Sequence, residues 1–198
     1  ARLLEADKQY EEAVVQFNKA LSMDKSHTEI YKDISDVYEK KRDFPKAIEA
    51  YKNYLDEMKS SPDISDLFLY GRLNYYAATD SAYQDKQPTY LAEADTIFAQ
   101  VAVKVPDNYL GNFWRARVNS LRDPETTQGL AKPYYEAALS ILEQKPDATK
   151  SVLVECNSYL GYYYFVKEDY NQSKQYWNKI LEIDPENETA TKALGGIK

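Results

Sequence analysis

At 198 residues, with a charged fraction of 29% and a hydrophobic fraction of 43%, the chain has the composition of an ordinary soluble protein, exported or cytoplasmic, with length for one compact domain. A net charge of −7 argues against nucleic-acid binding and against anionic membranes, and no apolar run approaches the roughly 18 residues of a membrane span. One cysteine and one histidine leave no metal site or catalytic triad to build, and phosphate loops and dinucleotide fingerprints are absent, so a non-catalytic chain with no metal and no cofactor is expected.

In chain order, residues 1–7 read as the end of a helix that starts upstream, so the chain is expected to begin within a repeat and its N-terminus to be a truncation. A second helix covers residues 10–23. His27 falls in a short turn, where capping or solvation suits it better than catalysis. Further helices lie at 28–41 and 44–59, with Pro45 tolerated in a first turn. Asp63 is a good N-cap for a helix over 63–79, and Asp66 in its first turn suits the helix dipole. After a polar stretch, 80–88, the next helix starts at Thr89 and stops before Pro106. Residues 109–143 form another pair, broken at Arg122-Asp123-Pro124, with a second helix opening near Thr126 despite Gly129 and Pro133. Residues 147–184 make the last full pair, in which Cys156 reads as a small packed hydrophobe, and 187–195 a short capping helix.

One spacing returns through these segments. Tyr10, Ala13, Phe17 and Ala20 are matched 34 residues later by Phe44, Ala47, Tyr51 and Tyr54. The template recurs as Leu91, Ala94, Phe98, Val101, then as Gln128, Ala131, Tyr135, Ala138, and as Tyr170, Ser173, Trp177, Ile180. A period of about 34 with this pattern, and the boundary Leu-Glu-Ile-Asp-Pro-Glu-Asn at 181–187, resemble the tetratricopeptide repeat family over nearly the whole chain. The resemblance implies an all-α, right-handed superhelical α-solenoid of antiparallel helix pairs. It would be a single domain over 1–198: a partial repeat 1–24, repeats 28–59, 63–105, 109–143 and 147–184, and a capping helix 187–195. The third residues of the recurring sets, Phe17, Tyr51, Phe98, Tyr135 and Trp177, are the anchors expected to fill the space between helices; they lie 34, 47, 37 and 42 residues apart, so later repeats are expected to be irregular.

The first helices carry one small residue each, Ser35, Gly71, Ala116 and Gly161, with Gly195 in the last segment, where close helix approach is expected. Offsets of −6, −3, +1 and +4 from these residues form one helical stripe on the concave face where family members usually hold ligands. It reads Glu29, Lys32, Asp36, Glu39, then Ser65, Phe68, Arg72, Tyr75, then Leu110, Phe113, Arg117, Ser120, and Glu155, Ser158, Tyr162, Phe165. Phe68, Arg72, Tyr75, Phe113, Arg117, Tyr162 and Phe165 are therefore the expected groove, suited to a carboxylate or an extended peptide with aromatic anchors. The resemblance implies a protein–protein interaction scaffold with a protein or peptide partner. A structural module of a larger assembly, or a small-ligand protein, is the alternative. Family members that clamp acidic chaperone tails use Lys, Asn and Arg here; Asp36, Leu69, Leu110 and Trp114 stand in equivalent places and argue against that partner.

Overall fold

The structure, a computed structural model, describes residues 2–24, 26–58 and 60–197, with side chains from residue 8 onward. Ala1 and Lys59, expected at a helix start and a repeat end, lie outside the described residues. Among the described residues there are ten α-helices, one short 3-10 segment and no strand, the all-α helix-pair class expected. The chain divides into two compact units, 1–97 and 98–198, whose boundary falls inside the fifth helix.

The first unit contains α1 (Arg2–Met23), α2 (Ile30–Lys40), α3 (Phe44–Glu57), α4 (Ile64–Thr79) and the opening of α5 (Gln87–Lys104). Asp43 ends the α2–α3 turn: preceded by Arg42 in a left-handed conformation (φ 59°), it accepts the N–H of Lys46 and starts α3. Ser35 is small enough for α3 to approach, and its Oγ donates to the Ala47 carbonyl at 2.8 Å. The expected break between residues 7 and 10 is absent, because α1 runs on without interruption. In the repeat register Gln9 stands where Asp43 stands, and glutamine offers no N-cap to stop one helix and start another.

Asp63 and Asp66 form a reciprocal capping box at the start of α4. Asp66 does more than cap. It is buried, and it also accepts from Lys32 Nζ on α2 (3.3 Å) and Tyr51 Oη on α3 (3.4 Å), tying three helices together. Tyr51 stacks on Tyr70 with centroids 5.9 Å apart, over a core of Ala47, Tyr54, Leu67, Leu73 and Ala77. Burying each large side chain contributes roughly 1.5–3 kcal/mol. The expected polar stretch after Thr79 is a 3-10 segment, Ser81–Lys86, capped by Asp80; α5 starts at Gln87, two residues before the expected Thr89. Asp80 is held by Arg42 Nη2 at 2.7 Å.

The second unit continues with α6 (Leu110–Arg122), α7 (Lys132–Leu142), α8 (Lys150–Val166), α9 (Tyr170–Ile183) and α10 (Glu188–Gly196). The α8–α9 pair repeats the α2–α3 design: Glu168 is left-handed (φ 60°), Asp169 caps by accepting from Gln172 N, and Ser173 Oγ donates to the Gly161 carbonyl at 2.7 Å. Gly161 is where close approach is needed, since a Cβ there would lie 2.7 Å from Trp177. Gly195 is not such a place; nothing lies within 4 Å of its missing Cβ. α10 packs Ala190 and Ile197 onto Trp177 and Ile180, as a capping helix should.

The helix expected to open near Thr126 starts at Lys132 instead. The amides that would make its first turn are taken by Asp123, whose Oδ2 accepts from the N–H groups of Gln128 (3.0 Å), Gly129 (2.7 Å) and Leu130 (3.4 Å). Thr126 and Gly129 both have positive φ, which no α-helix accommodates. Gln128 is therefore an exposed loop residue, while Ala131, Tyr135 and Ala138 of the same template are buried as expected.

Candidate functional site

The expected groove residues fall in both units. In the first, α4 carries Phe68, Arg72 and Tyr75, all half-buried. The Arg72 guanidinium lies 5.3 Å from the Tyr76 ring centroid, and its Nη2 donates to Glu39 on α2 at 3.5 Å. Tyr75 meets Tyr76 edge to face.

In the second unit, Arg117 on α6 makes a bidentate pair with Glu155 on α8: Nε donates to Oε1 at 2.7 Å and Nη2 to Oε2 at 2.6 Å. The guanidinium lies 4.5 Å from the Phe113 ring and 5.0 Å from that of Trp114. Tyr135 Oη donates to the same carboxylate at 3.2 Å, and burial, helped by Glu155, pushes its phenol upward. Both arginines of the expected stripe are thus matched by an acid of a neighbouring first helix, and both acids belong to the stripe read from the sequence. Phe113 is not on a groove wall. It is 3% exposed and packed edge-on against Tyr109 and Tyr135.

Tyr162 and Phe165 behave differently. They lie one helical turn apart on α8, 43% and 41% exposed, and line an apolar cleft of about 220 Å³ closed by Trp177 of α9 and by Ala193, Gly196 and Ile197 at the end of α10. Lys192 stands on its rim and pairs with Glu188. Tyr170 adds a third exposed ring, its centroid 5.8 Å from that of Phe165. The sequence marks Trp177 as a buried anchor and 187–195 as a capping helix, but nothing in the repeat pattern marks Ala193, Gly196 and Ile197 as lining a cleft.

Cys156 is fully buried and its thiol is pushed up to about 12 by burial, so it is held neutral. His27 is exposed beside Asp24. Among the described residues no group of His, Cys, Asp and Glu is placed to hold a metal ion, and no helix is long and apolar enough to cross a membrane.

A sequence model of the tetratricopeptide repeat matches residues 1–27 and 159–187. The crystal structure of the C-terminal part of a tetratricopeptide repeat-containing protein from Cytophaga hutchinsonii is 30% identical, with a TM-score of 0.80 over 98% of this chain and 70% of that one. The chain belongs to the tetratricopeptide repeat family. Family members are generally non-catalytic modules that bind other proteins. Two more distant structures share the fold. YrrB, a tetratricopeptide protein with an unusual peptide-binding site, is 18% identical with a TM-score of 0.62, covering 97% of this chain and 87% of its own. TTC0263 from Thermus thermophilus is 16% identical with a TM-score of 0.54, covering 98% and 93%. No curated protein matches the chain significantly.

Proposed function

We propose that this tetratricopeptide protein is a non-catalytic scaffold that captures an extended peptide segment of a protein partner, and that the cleft between α8, α9 and α10 receives its anchoring side chain. One observation carries the reading: of the six large apolar side chains exposed among the described residues, three, Tyr162, Phe165 and Tyr170, sit together at this cleft. Scattered exposed apolar residues are ordinary; clustered aromatics around a concave apolar floor mark an interaction site. A cleft of about 220 Å³ fits one large apolar side chain. The floor is already packed, so little ordering entropy is lost on binding. The peptide site of YrrB supports a peptide ligand on this fold.

Within this reading Arg117 lies outside the contact, since it is paired with Glu155 and lines no part of the cleft. Its pairing with Glu155 leaves the aromatic end of the stripe, rather than a free guanidinium, to make the contact. Selection from a random peptide phage library should enrich sequences with a single large apolar anchor. The enriched peptide should lose binding by tenfold or more, roughly 1.4 kcal/mol, in the Tyr162→Ala/Phe165→Ala variant, with helicity and melting unchanged. Full retention of affinity in that variant would place the site elsewhere.

A further inference from the structure

The second unit opens another cavity, of about 430 Å³, where the end of α7 meets the first turns of α8 and the last turn of α9. It shares no residue with the aromatic cleft, and its volume is in the range of small-molecule sites. Leu142, Leu153 and Ile183 give it apolar walls, and Asn157, 1% exposed, closes it on the inside.

Asn157 is the group that points to a ligand. Three buried asparagines, Asn74, Asn119 and Asn157, donate Nδ2 to the carbonyl four residues earlier, at 3.0, 2.9 and 2.7 Å. Asn119 Oδ1 accepts in turn from Arg122. Only Asn157 of the three has a buried oxygen with no donor, and it lines this cavity. Leaving a desolvated acceptor unmade is costly, whereas a donor supplied from the cavity removes the cost.

The opposite end of the cavity favours an anion. α8 begins at Lys150 with no side-chain cap from Thr149 and no acid in its first turn, so neither of these meets the positive end of the helix. Lys145 in the preceding loop and Lys150 add two ammonium groups. Lys179 is neutralised by Glu143 at 2.8 Å, which leaves Glu182 as the acid facing them. The balance is locally positive on a chain of net charge −7.

We propose that this cavity binds a small organic anion bearing a hydroxyl. The carboxylate or phosphate sits at the start of α8 beside Lys145 and Lys150, the hydroxyl donates to Asn157 Oδ1 two turns or about 10 Å along the helix, and the carbon skeleton lies against Leu142 and Leu153.

Calorimetric titration of the whole chain tests this with two arms long enough to span the cavity, 6-hydroxyhexanoate for a hydroxylated carboxylate and 6-hydroxyhexyl phosphate for a hydroxylated phosphate. Hexanoate and hexyl phosphate, which differ from them only by the hydroxyl, are the respective controls. At least one arm should bind, about fivefold or more tighter than its control, as one hydrogen bond to a buried acceptor implies. Asn157→Leu should erase that difference. Lys145→Glu/Lys150→Glu, at exposed positions that do not endanger folding, should abolish binding of the anion. Binding by neither anion, equal affinity for each anion and its control, or full binding by the double lysine variant would each overturn the proposal.

Discussion

Replacing Gly161 by alanine sets two effects of opposite sign against each other. Inside a helix, alanine is favoured over glycine by about 1 kcal/mol, so propensity alone predicts stabilisation. The new methyl would meet Trp177 Cε2 at 2.7 Å and Nε1 at 2.9 Å, closer than real Cβ contacts come, and Cδ2 at 3.0 Å, at the tight end of what they show. Trp177 is 6% exposed and packed against Ile180, Ala190 and Ile197, so any shift of the indole gives up part of its contact with α10 and the chain end. Overpacking of this kind costs typically 1–3 kcal/mol, which outweighs the propensity gain and leaves a net loss of about 1 kcal/mol. Gly111→Ala should cost more, because its methyl would strike the Ala102 backbone nitrogen at 2.5 Å and backbone yields less than a side chain. Urea denaturation followed by circular dichroism and tryptophan emission measures both variants. The expected order of stability is wild type, Gly161→Ala, Gly111→Ala, with altered Trp177 emission in the first variant. A Gly161→Ala protein more stable than wild type would refute the packing argument, since only propensity would then be acting.

A double-mutant cycle on Arg117 and Glu155, each to alanine, should give a coupling of about 1 kcal/mol: the pair is bidentate, but both side chains are about a third exposed and solvent weakens them. A coupling near zero would mark the pair as a surface accident. Burial acts to raise the Asp123 carboxyl, but hydrogen bonds from the 127–130 segment outweigh it and hold the group below the ordinary carboxylate value. Its folded pKa being depressed, its contribution to stability is present above about pH 4 and is lost as pH falls further, so Asp123→Asn should flatten the acid limb of a stability–pH curve. An unchanged limb would exclude Asp123 as its source. Glu168→Gly should stabilise by about 0.5–1 kcal/mol, since a left-handed non-glycine residue costs more than glycine's extra entropy. Arg42→Gly, at the equivalent turn, should gain less because it also gives up the bonds to Asp80; equal gains in thermal melts would show those bonds to be idle.

The helix pairs are legible in the sequence because their anchors face inward at fixed offsets. Ala47 and Tyr51, Ala94 and Phe98, Ala131 and Tyr135, and Ser173 and Trp177 are all buried. Helix ends are legible only where a local signal is strong. Asp43 and Asp169 cap their helices, whereas at Gln9, where the cap residue is missing, one helix continues into the next. At Asp123 a side chain reaches forward to claim amides five to seven residues on. That bond competes with helix formation through the loop's folded shape, which periodicity cannot register.

The sequence put the stripe residues at common offsets but did not show that its arginines are already paired. Offsets from the small residues put Arg72 and Arg117 on the stripe, together with Glu39 and Glu155, the acids that hold them; the pairing signal was therefore present in the same four-residue rows. Phe113 shows where the offset rule fails: one position on a helix face can turn into the interior when two rings, Tyr109 and Tyr135, close over it. The cleft at Tyr162 and Phe165 depends on something no periodic pattern encodes. α10 reaches Trp177 through Ala190 and Ile197 but presents Ala193 and Gly196 above it, and the space over Gly196 is open. The cleft exists because Ala193 and Gly196 leave volume unfilled beside an indole that is otherwise buried, so its opening comes from missing side-chain volume, and a pattern of anchors, which counts the side chains that are there, passes over it.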